Sequence, residues 1–173
     1  MFPVIRIAVN VSSRQFWRTD FADTVFKALD KAGVAAHFLE LELTERLAMQ
    51  DTDKLIAIMN KLHHRGVRLA IDDFGTGYSS LMYLKKLPFH VLKIDRSFVM
   101  GLPLNNDDAA ICRTILAMSV ALGFETIAEG VEGQEQEDYL RSNGCLVAQG
   151  FLFSKPVSAE KMVKLFTICP ASY

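Results

Sequence analysis

Leu69-Ala70-Ile71-Asp72-Asp73-Phe74-Gly75-Thr76-Gly77 is a short apolar run that stops on two aspartates and then on glycines. Such a run, bounded by turn residues, reads as a buried strand. Two carboxylates at its end repel each other and lose hydration, so they need a positive partner. The glycines let the backbone turn sharply and approach a ligand closely. Five other apolar runs end in the same way. Residues 5–9 lead to Asn10. Leu39, Leu41 and Leu43 alternate with Glu40 and Glu42, and Glu45 follows. Val91, Leu92 and Ile94 flank Lys93 and precede Asp95. Residues 126–128 end at Glu129, with Glu132 beyond, and residues 146–148 end at Gln149. One polar site assembled from many strand ends is the simplest reading.

Helical patterns fill the gaps. Asp20 is placed to cap a helix with Ala22, Val25, Phe26 and Leu29 on one face, ended by Gly33. Asp51 or Thr52 caps the next, with Leu55, Ile58, Met59 and Leu62 as its stripe and Gly66 as its stop. A short helix covers residues 80–86, halted by Pro88. Asp107 or Asp108 starts one bearing Ile111, Ile115, Met118 and Leu122, ended by Gly123. A polar helix spans residues 134–143, and Ser158 caps a last one with Met162, Val163, Leu165 and Phe166. Strands alternating with helices across short loops imply a parallel sheet with right-handed crossovers. An open doubly wound sheet gathers its site at one switch point. A (β/α)₈ barrel draws on the C-terminal ends of many strands. Polar groups at every strand end favour the barrel, yet six units are two short of eight. The expected fold is therefore an incomplete TIM-like α/β barrel, about six of eight βα units, as one domain over residues 1–173.

The net charge of −1 and the lack of a basic run argue against a polymeric nucleic acid as partner. An anionic substrate would need local cations. Cys112, Cys145 and Cys169 are odd in number and scattered, which disfavours a disulfide framework or a zinc site and points to a reducing compartment. No segment has the length and apolarity to span a bilayer, and no signal peptide opens the chain. A cytoplasmic location is expected, which leaves room for a membrane-anchored parent protein.

Alone, Asp72 and Asp73 read equally well as a helix cap and a turn residue. With Glu42 and Asn10 at neighbouring strand ends they form a cluster of hard oxygens, suited to Mg²⁺ or Mn²⁺ rather than zinc. Lys93 lies opposite Leu92 and Ile94 in its strand, so it points into the barrel and needs carboxylates around it. Asp95, on its own face, is the expected neighbour. Lys93 fits either the orientation of a water and the stabilisation of phosphate charge, or a structural ion pair. Glu129 and Glu132 bracket Gly130 and Val131. One reads as a ligand and the other as a loop anchor, or both as helix-start carboxylates. Gln149, before Gly150, suits a base edge or a metal-bound water. His63 and His64 sit in the last turn of a helix and have no ligand spacing.

Six motifs carry a resemblance over essentially the whole chain. They are NVS at residues 10–12, LELTE at 41–45, DDFGTGYSSL at 72–81, LKIDRSFV at 92–99, IAEGVE at 127–132 and QGFLFSKP at 149–156. In order and spacing they resemble the EAL-domain family, bacterial phosphodiesterases that open cyclic di-GMP to linear pGpG with two divalent cations in a TIM-like barrel. Members are often dimers and often fused to sensory or GGDEF domains. The resemblance implies Asn10, Glu42, Asp72, Asp73 and Glu129 as ligands of Mg²⁺ or Mn²⁺. It implies Lys93 with Asp95 as the pair positioning the attacking water, beside Glu129, and Gln149 as a substrate-side residue. Glu45 then anchors the loop holding Gly75, Thr76 and Gly77, and Glu132 supports the turn after Glu129. This sequence lacks the Glu-Ala-Leu tripeptide and the arginine that follows it in the family, and it carries Gly133 where threonine is common. It is similar to an EAL domain without its first two strands and their helices. Low or no turnover is expected from the chain alone. The competing readings are a catalytically impaired remnant acting as a nucleotide-binding or protein-interaction module, and another metal-dependent barrel hydrolase. Strand edges left open by the missing units predict a homo-oligomer rather than a monomer.

Overall fold

The computed structural model describes residues 5–48, 53–77 and 81–168. Six parallel strands pair in chain order: β1 (Ile7–Val11), β2 (Leu39–Thr44), β3 (Arg68–Phe74), β4 (Val91–Ile94), β5 (Glu125–Glu129) and β6 (Val147–Gln149). A doubly wound sheet would reverse its strand order at a switch point; this one never does, so it is a barrel wall. Between and after the strands run α1 (Ser13–Phe16), α2 (Phe21–Ala32), α3 (Glu45–Ala48), α4 (Asp53–His64), α5 (Leu81–Lys86), α6 (Arg96–Val99), α7 (Asn106–Leu122), α8 (Gln134–Ser142) and α9 (Ala159–Ile168). Among the described residues β1 and β6 are open edges, and the barrel is incomplete as expected.

The sheet is curled. In a flat sheet β1 and β5 would stand about 19 Å apart, four strand spacings. Yet Arg6, just before β1, has Nη1 3.1 Å from Glu125 Oε2 at the start of β5. Arg68 completes the link, 3.3 Å from Glu40 Oε2 and 2.8 Å from Glu125 Oε2. The Glu40 side chain is 3 % exposed, so its charge depends on these guanidiniums. This ionic layer at the N-terminal end of the strands was not foreseen from the sequence. Its members lie far apart in the chain, and only the curl brings them together.

Alternation sorts the two faces of each strand. Leu41, Leu43, Leu69, Ile71, Leu92 and Ile94 join one apolar core with Leu55, Met59 and Leu62 of α4, Ile115 and Leu116 of α7, and Leu140 of α8. The opposite face carries the polar groups. Gly33 and Gly123 end α2 and α7 in the left-handed conformation.

Several local expectations need correction. The first strand begins and ends two residues later than residues 5–9, so Asn10 lies inside β1 rather than after it. Asp20 occupies the N-cap position of α2 but makes no capping bond; Arg18 takes its carboxylate at 3.1 Å. Asn105 caps α7, accepting from the amides of Asp107 and Asp108. Those aspartates fall in the first turn, where negative charge favours the helix dipole. Ser158 Oγ donates to Glu160 Oε2 at 2.9 Å. The caps proposed at Asp51 or Thr52, and Ser80 at the start of the short helix, lie outside the described residues.

Candidate active site

A bulge builds the centre of the polar face. Ile71 of β3 pairs with Leu92 of β4, and Phe74 with Ile94, so Asp72 and Asp73 together oppose Lys93. Neighbours in a regular strand point to opposite faces, and the extra residue breaks that alternation. Asp73 adopts φ 55°, the left-handed region that Asp tolerates better than most side chains. Carboxylate oxygens of Asp72, Asp73 and Glu129 consequently lie within 4.8 Å of one another.

Lys93 fills the space between the strands. Its Nζ is 2.5 Å from Glu129 Oε1, 2.7 Å from Glu42 Oε1 and 3.0 Å from Asp72 Oδ1. Its side chain is 3 % exposed. Burial pulls its pKa down, but bonds to Glu129 and Glu42 and the surrounding negative charge lift it above the ordinary lysine range. It is therefore a fixed cation and no general base. Burial pushes the Glu129 carboxyl up, and Lys93 only partly offsets this. Burial likewise raises the Asp73 carboxyl, helped by the charges of Asp72 and Asp95. Asp72 Oδ1 is buried and close to Lys93 but lacks hydrogen-bond alignment with any group. Four carboxylates thus share one ammonium. The donor set has spare negative charge, and oxygens of Asp72, Asp73 and Glu129 converge within 4.8 Å, which fits a hard divalent cation.

The other expected residues fall around this centre. Asn10 stands opposite Glu42 in the β1–β2 register. Gln149 Nε2 donates to Glu129 Oε1 at 2.6 Å. Glu45 is buried at the start of α3, and its Oε2 accepts from the amides of Gly75 at 3.0 Å and Gly77 at 3.1 Å. A Cβ on Gly75 would strike the Phe98 ring at 2.7 Å, and its φ is 101°. Thr76 Oγ1 donates to the Asp73 carbonyl at 2.9 Å. Glu132 pairs with Arg96 Nη2 at 2.8 Å.

Asp95 departs from the expected arrangement. Among the described residues the ion pairs of Lys93 run to Glu42, Asp72 and Glu129. Asp95 instead caps α6, accepting from the Ser97 amide at 2.9 Å and from the Ser97 hydroxyl, and it lies against Asp73. Two contributors were missed in the sequence. The stem of Arg96 packs on Gly130, where a Cβ would sit 2.2 Å from Arg96 Cγ. Gln136 Oε1 accepts from the amides of Glu132 and Gly133, tying down the turn after Glu129. A glutamine three residues after Gly133, opening a helix, was the available signal for the latter.

A sequence profile of the EAL domain matches residues 1–156. The chain belongs to the EAL-domain family. It is 47% identical over 153 residues to the cyclic di-GMP phosphodiesterase NbdA of Pseudomonas aeruginosa, covering 88% of this chain and 20% of that protein. It is 45% identical over 157 residues to MucR of the same organism, a bifunctional diguanylate cyclase and cyclic di-GMP phosphodiesterase, covering 91% of this chain and 23% of MucR. The MucR phosphodiesterase has been solved in complex with c-di-GMP; it superposes with TM-score 0.87 over 91% of this chain and 64% of that one, at 45% identity. The EAL domain of Mycobacterium smegmatis DcpA superposes at TM-score 0.90, with 41% identity, over 95% of this chain and 74% of that domain. The chain thus spans about a fifth of the curated relatives that it matches. The family and the incomplete TIM-like barrel expected from the motifs both hold.

Proposed function

We propose that this chain is the metal-binding part of a phosphodiesterase that hydrolyses cyclic di-GMP to linear pGpG. The observation that carries the reading is the bulged Asp72–Asp73 pair converging with Glu129 and Glu42 around Lys93. Support comes from the 45%-identical phosphodiesterase solved with c-di-GMP and from a manganese/c-di-GMP complex of Klebsiella pneumoniae BlrP1, 31% identical.

Asn10, Glu42, Asp72, Asp73 and Glu129 are the residues that would hold Mg²⁺ or Mn²⁺. The chemistry such a cation supplies when bound is a nucleophilic water at neutral pH and a polarised phosphoryl oxygen. In the hydrolysis, water oxygen bonds to phosphorus and the P–O3′ bond breaks; one water proton ends on the 3′ oxygen, which leaves as a hydroxyl, and the other on the new phosphate monoester or in solvent. Lys93, a buried cation facing Glu42, Asp72 and Glu129, would offset negative charge developing on the phosphoryl oxygens, and a carboxylate that turned from it to a bound cation would free one of its three N–H groups for the attacking water. Asp95, held by Ser97, orients that water from the Asp73 side. Gln149 keeps Glu129 in place from β6. Glu45 fixes the loop after Asp73 through two backbone amides, and Glu132 with Arg96 braces the turn after Glu129.

These 173 residues contain no Glu-Ala-Leu, so turnover by this chain alone should be low. A purely regulatory role is disfavoured, because Lys93 and its carboxylates stay assembled. No helix among the described residues is long and apolar enough to cross a membrane. We place the activity in the cytoplasm, where the buried free thiols Cys112 and Cys145 would persist. We further read residues 1–173 as one domain, oligomeric through its open edges, within a parent carrying sensory or GGDEF domains. Calorimetric titration with Mn²⁺ tests the core claim: wild type binds and Asp72→Ala does not. Equal binding by both would refute the site.

A further inference from the structure

Glu129 stands where the strand ladder stops holding it. The β4–β5 register ends with Ile94 opposite Ala128, one residue before Glu129. On its other side Glu129 pairs with Gln149 of β6, a strand of three residues at an open edge. Its carboxylate must nevertheless meet Lys93 of β4 at 2.5 Å and lie within 4.8 Å of the Asp72 and Asp73 oxygens. The turn that follows Glu129 therefore needs another tie to the segment that follows Lys93.

Gln136 spans that gap from α8. Its Oε1 accepts from the amides of Glu132 at 2.8 Å and Gly133 at 3.1 Å. Its Nε2 donates to the carbonyls of Val99 at 3.2 Å and Met100 at 3.4 Å, at the end of α6. A glutamine at the third position of a helix ordinarily reaches back to the cap amide alone. Here the same side chain takes a second amide and crosses 37 residues of sequence to another helix. That helix is itself fixed to the end of β4, because Asp95 caps it and Val99 is fully buried. The other ties between the two segments are weaker or carry no direction. Arg96 and Glu132 pair at 2.8 Å with side chains 52% and 45% exposed, where water and salt screen them. The stem of Arg96 packs on Gly130 without a directional bond.

We propose that Gln136 is a positioning residue for the metal centre, its amide replacing the absent β4–β5 rung and setting where Glu129 sits relative to Lys93 and the Asp72–Asp73 pair. Only a carboxamide carries an acceptor and two donors on one planar tip. A carboxylate there would hold the two backbone amides but face the two carbonyls with no proton to give. This inference rests on the metal-site reading above.

The test pairs amide hydrogen exchange with calorimetric Mn²⁺ titration of the full chain, run well below each variant's melting temperature. Gln136→Ala should speed exchange at Glu132 and Gly133 and weaken Mn²⁺ binding by about 3- to 30-fold, the equivalent of one or two neutral hydrogen bonds. Gln136→Glu should keep both amides protected yet still bind Mn²⁺ less tightly than wild type. Its added charge alone would raise affinity for a cation, so a fall reports the lost tie to α6. Tyr139→Phe is the control on the same helix: it removes the bonds from Arg113 and to the Ala109 carbonyl, so it should lower the melting temperature and leave Mn²⁺ affinity within about twofold. Wild-type affinity in Gln136→Ala or in Gln136→Glu would reduce Gln136 to a helix cap and overturn the proposal while sparing the metal site. Equal weakening by Tyr139→Phe would also overturn it, in favour of general loosening of α8. Failure of folded wild type to bind Mn²⁺ would overturn the metal site and this inference together.

Discussion

Replacing Lys93 by alanine should destabilise the metal-free protein and sharpen its response to metal. Nζ meets Glu42, Asp72 and Glu129 at 2.7, 3.0 and 2.5 Å, and their side chains are 6%, 13% and 15% exposed. Without the ammonium these charges face one another with little water to screen them. Breaking a buried ion pair costs about 3–5 kcal/mol. A domain of this size loses roughly 2–4 °C of melting temperature per kcal/mol. The variant should therefore melt roughly 6–20 °C below wild type in EDTA. Mn²⁺ should reverse much of that loss. Saturation at a hundred times Kd contributes about 2.7 kcal/mol to any protein that binds only when folded, and the variant, with no ammonium competing for the same oxygens, should bind more tightly. Scanning calorimetry with and without Mn²⁺ measures both effects. Lys93→Met, which keeps the buried stem, separates charge from cavity. A Lys93→Ala melt matching wild type in EDTA would refute the reasoning, as would equal stabilisation of both proteins by Mn²⁺.

Asp73→Gly should raise metal-free stability by about 1 kcal/mol, because glycine adopts φ 55° without strain and a like charge disappears; it should also weaken Mn²⁺ binding, and unchanged affinity in the same titration would remove Asp73 from the site. Chromatographic detection of pGpG should show little turnover by the chain, and in any residual activity Lys93→Ala should lower kcat more than it changes KM; robust turnover would contradict the dependence on the absent tripeptide. His90 Nδ1 accepts from the Leu69 amide at 3.2 Å, and burial and Arg68 hold its pKa below the usual histidine value. The unfolded chain then binds the proton first as pH falls, so this contribution is complete above pH about 6.5 and declines below it; His90→Gln should flatten that part of a pH series of denaturant melts. Ile7 and Val9 on β1 and Val147 on β6 are 60%, 43% and 51% exposed on open edges with no Pro or Lys in either strand, so light scattering should report oligomers; a monodisperse monomer at tens of micromolar would show that the edges are harmless.

Much was legible in the sequence because it depends on local order. The strands are short apolar runs closed by polar residues, and periodicity exposes them whatever surrounds them. Chain order then places Asn10, Glu42, Asp72, Lys93, Glu129 and Gln149 at neighbouring strand ends, and the motifs name the family. Helix starts were read less well. Aspartates occur both as caps and in first turns, so the pattern points to Asp107 or Asp108 where Asn105 supplies the cap. The partners of Lys93 were beyond the sequence. Alternation alone pairs it with Asp95 on its own strand, but the bulge opposite it and the curl of the sheet bring three carboxylates from other strands closer. The Arg6–Glu40–Arg68–Glu125 layer needs the same curl. Strand identity and order follow from contacts between residues near in sequence, whereas register, bulge and curvature are set by packing between strands. Charge pairing across a barrel depends on those last three, so it was decided only in the tertiary structure.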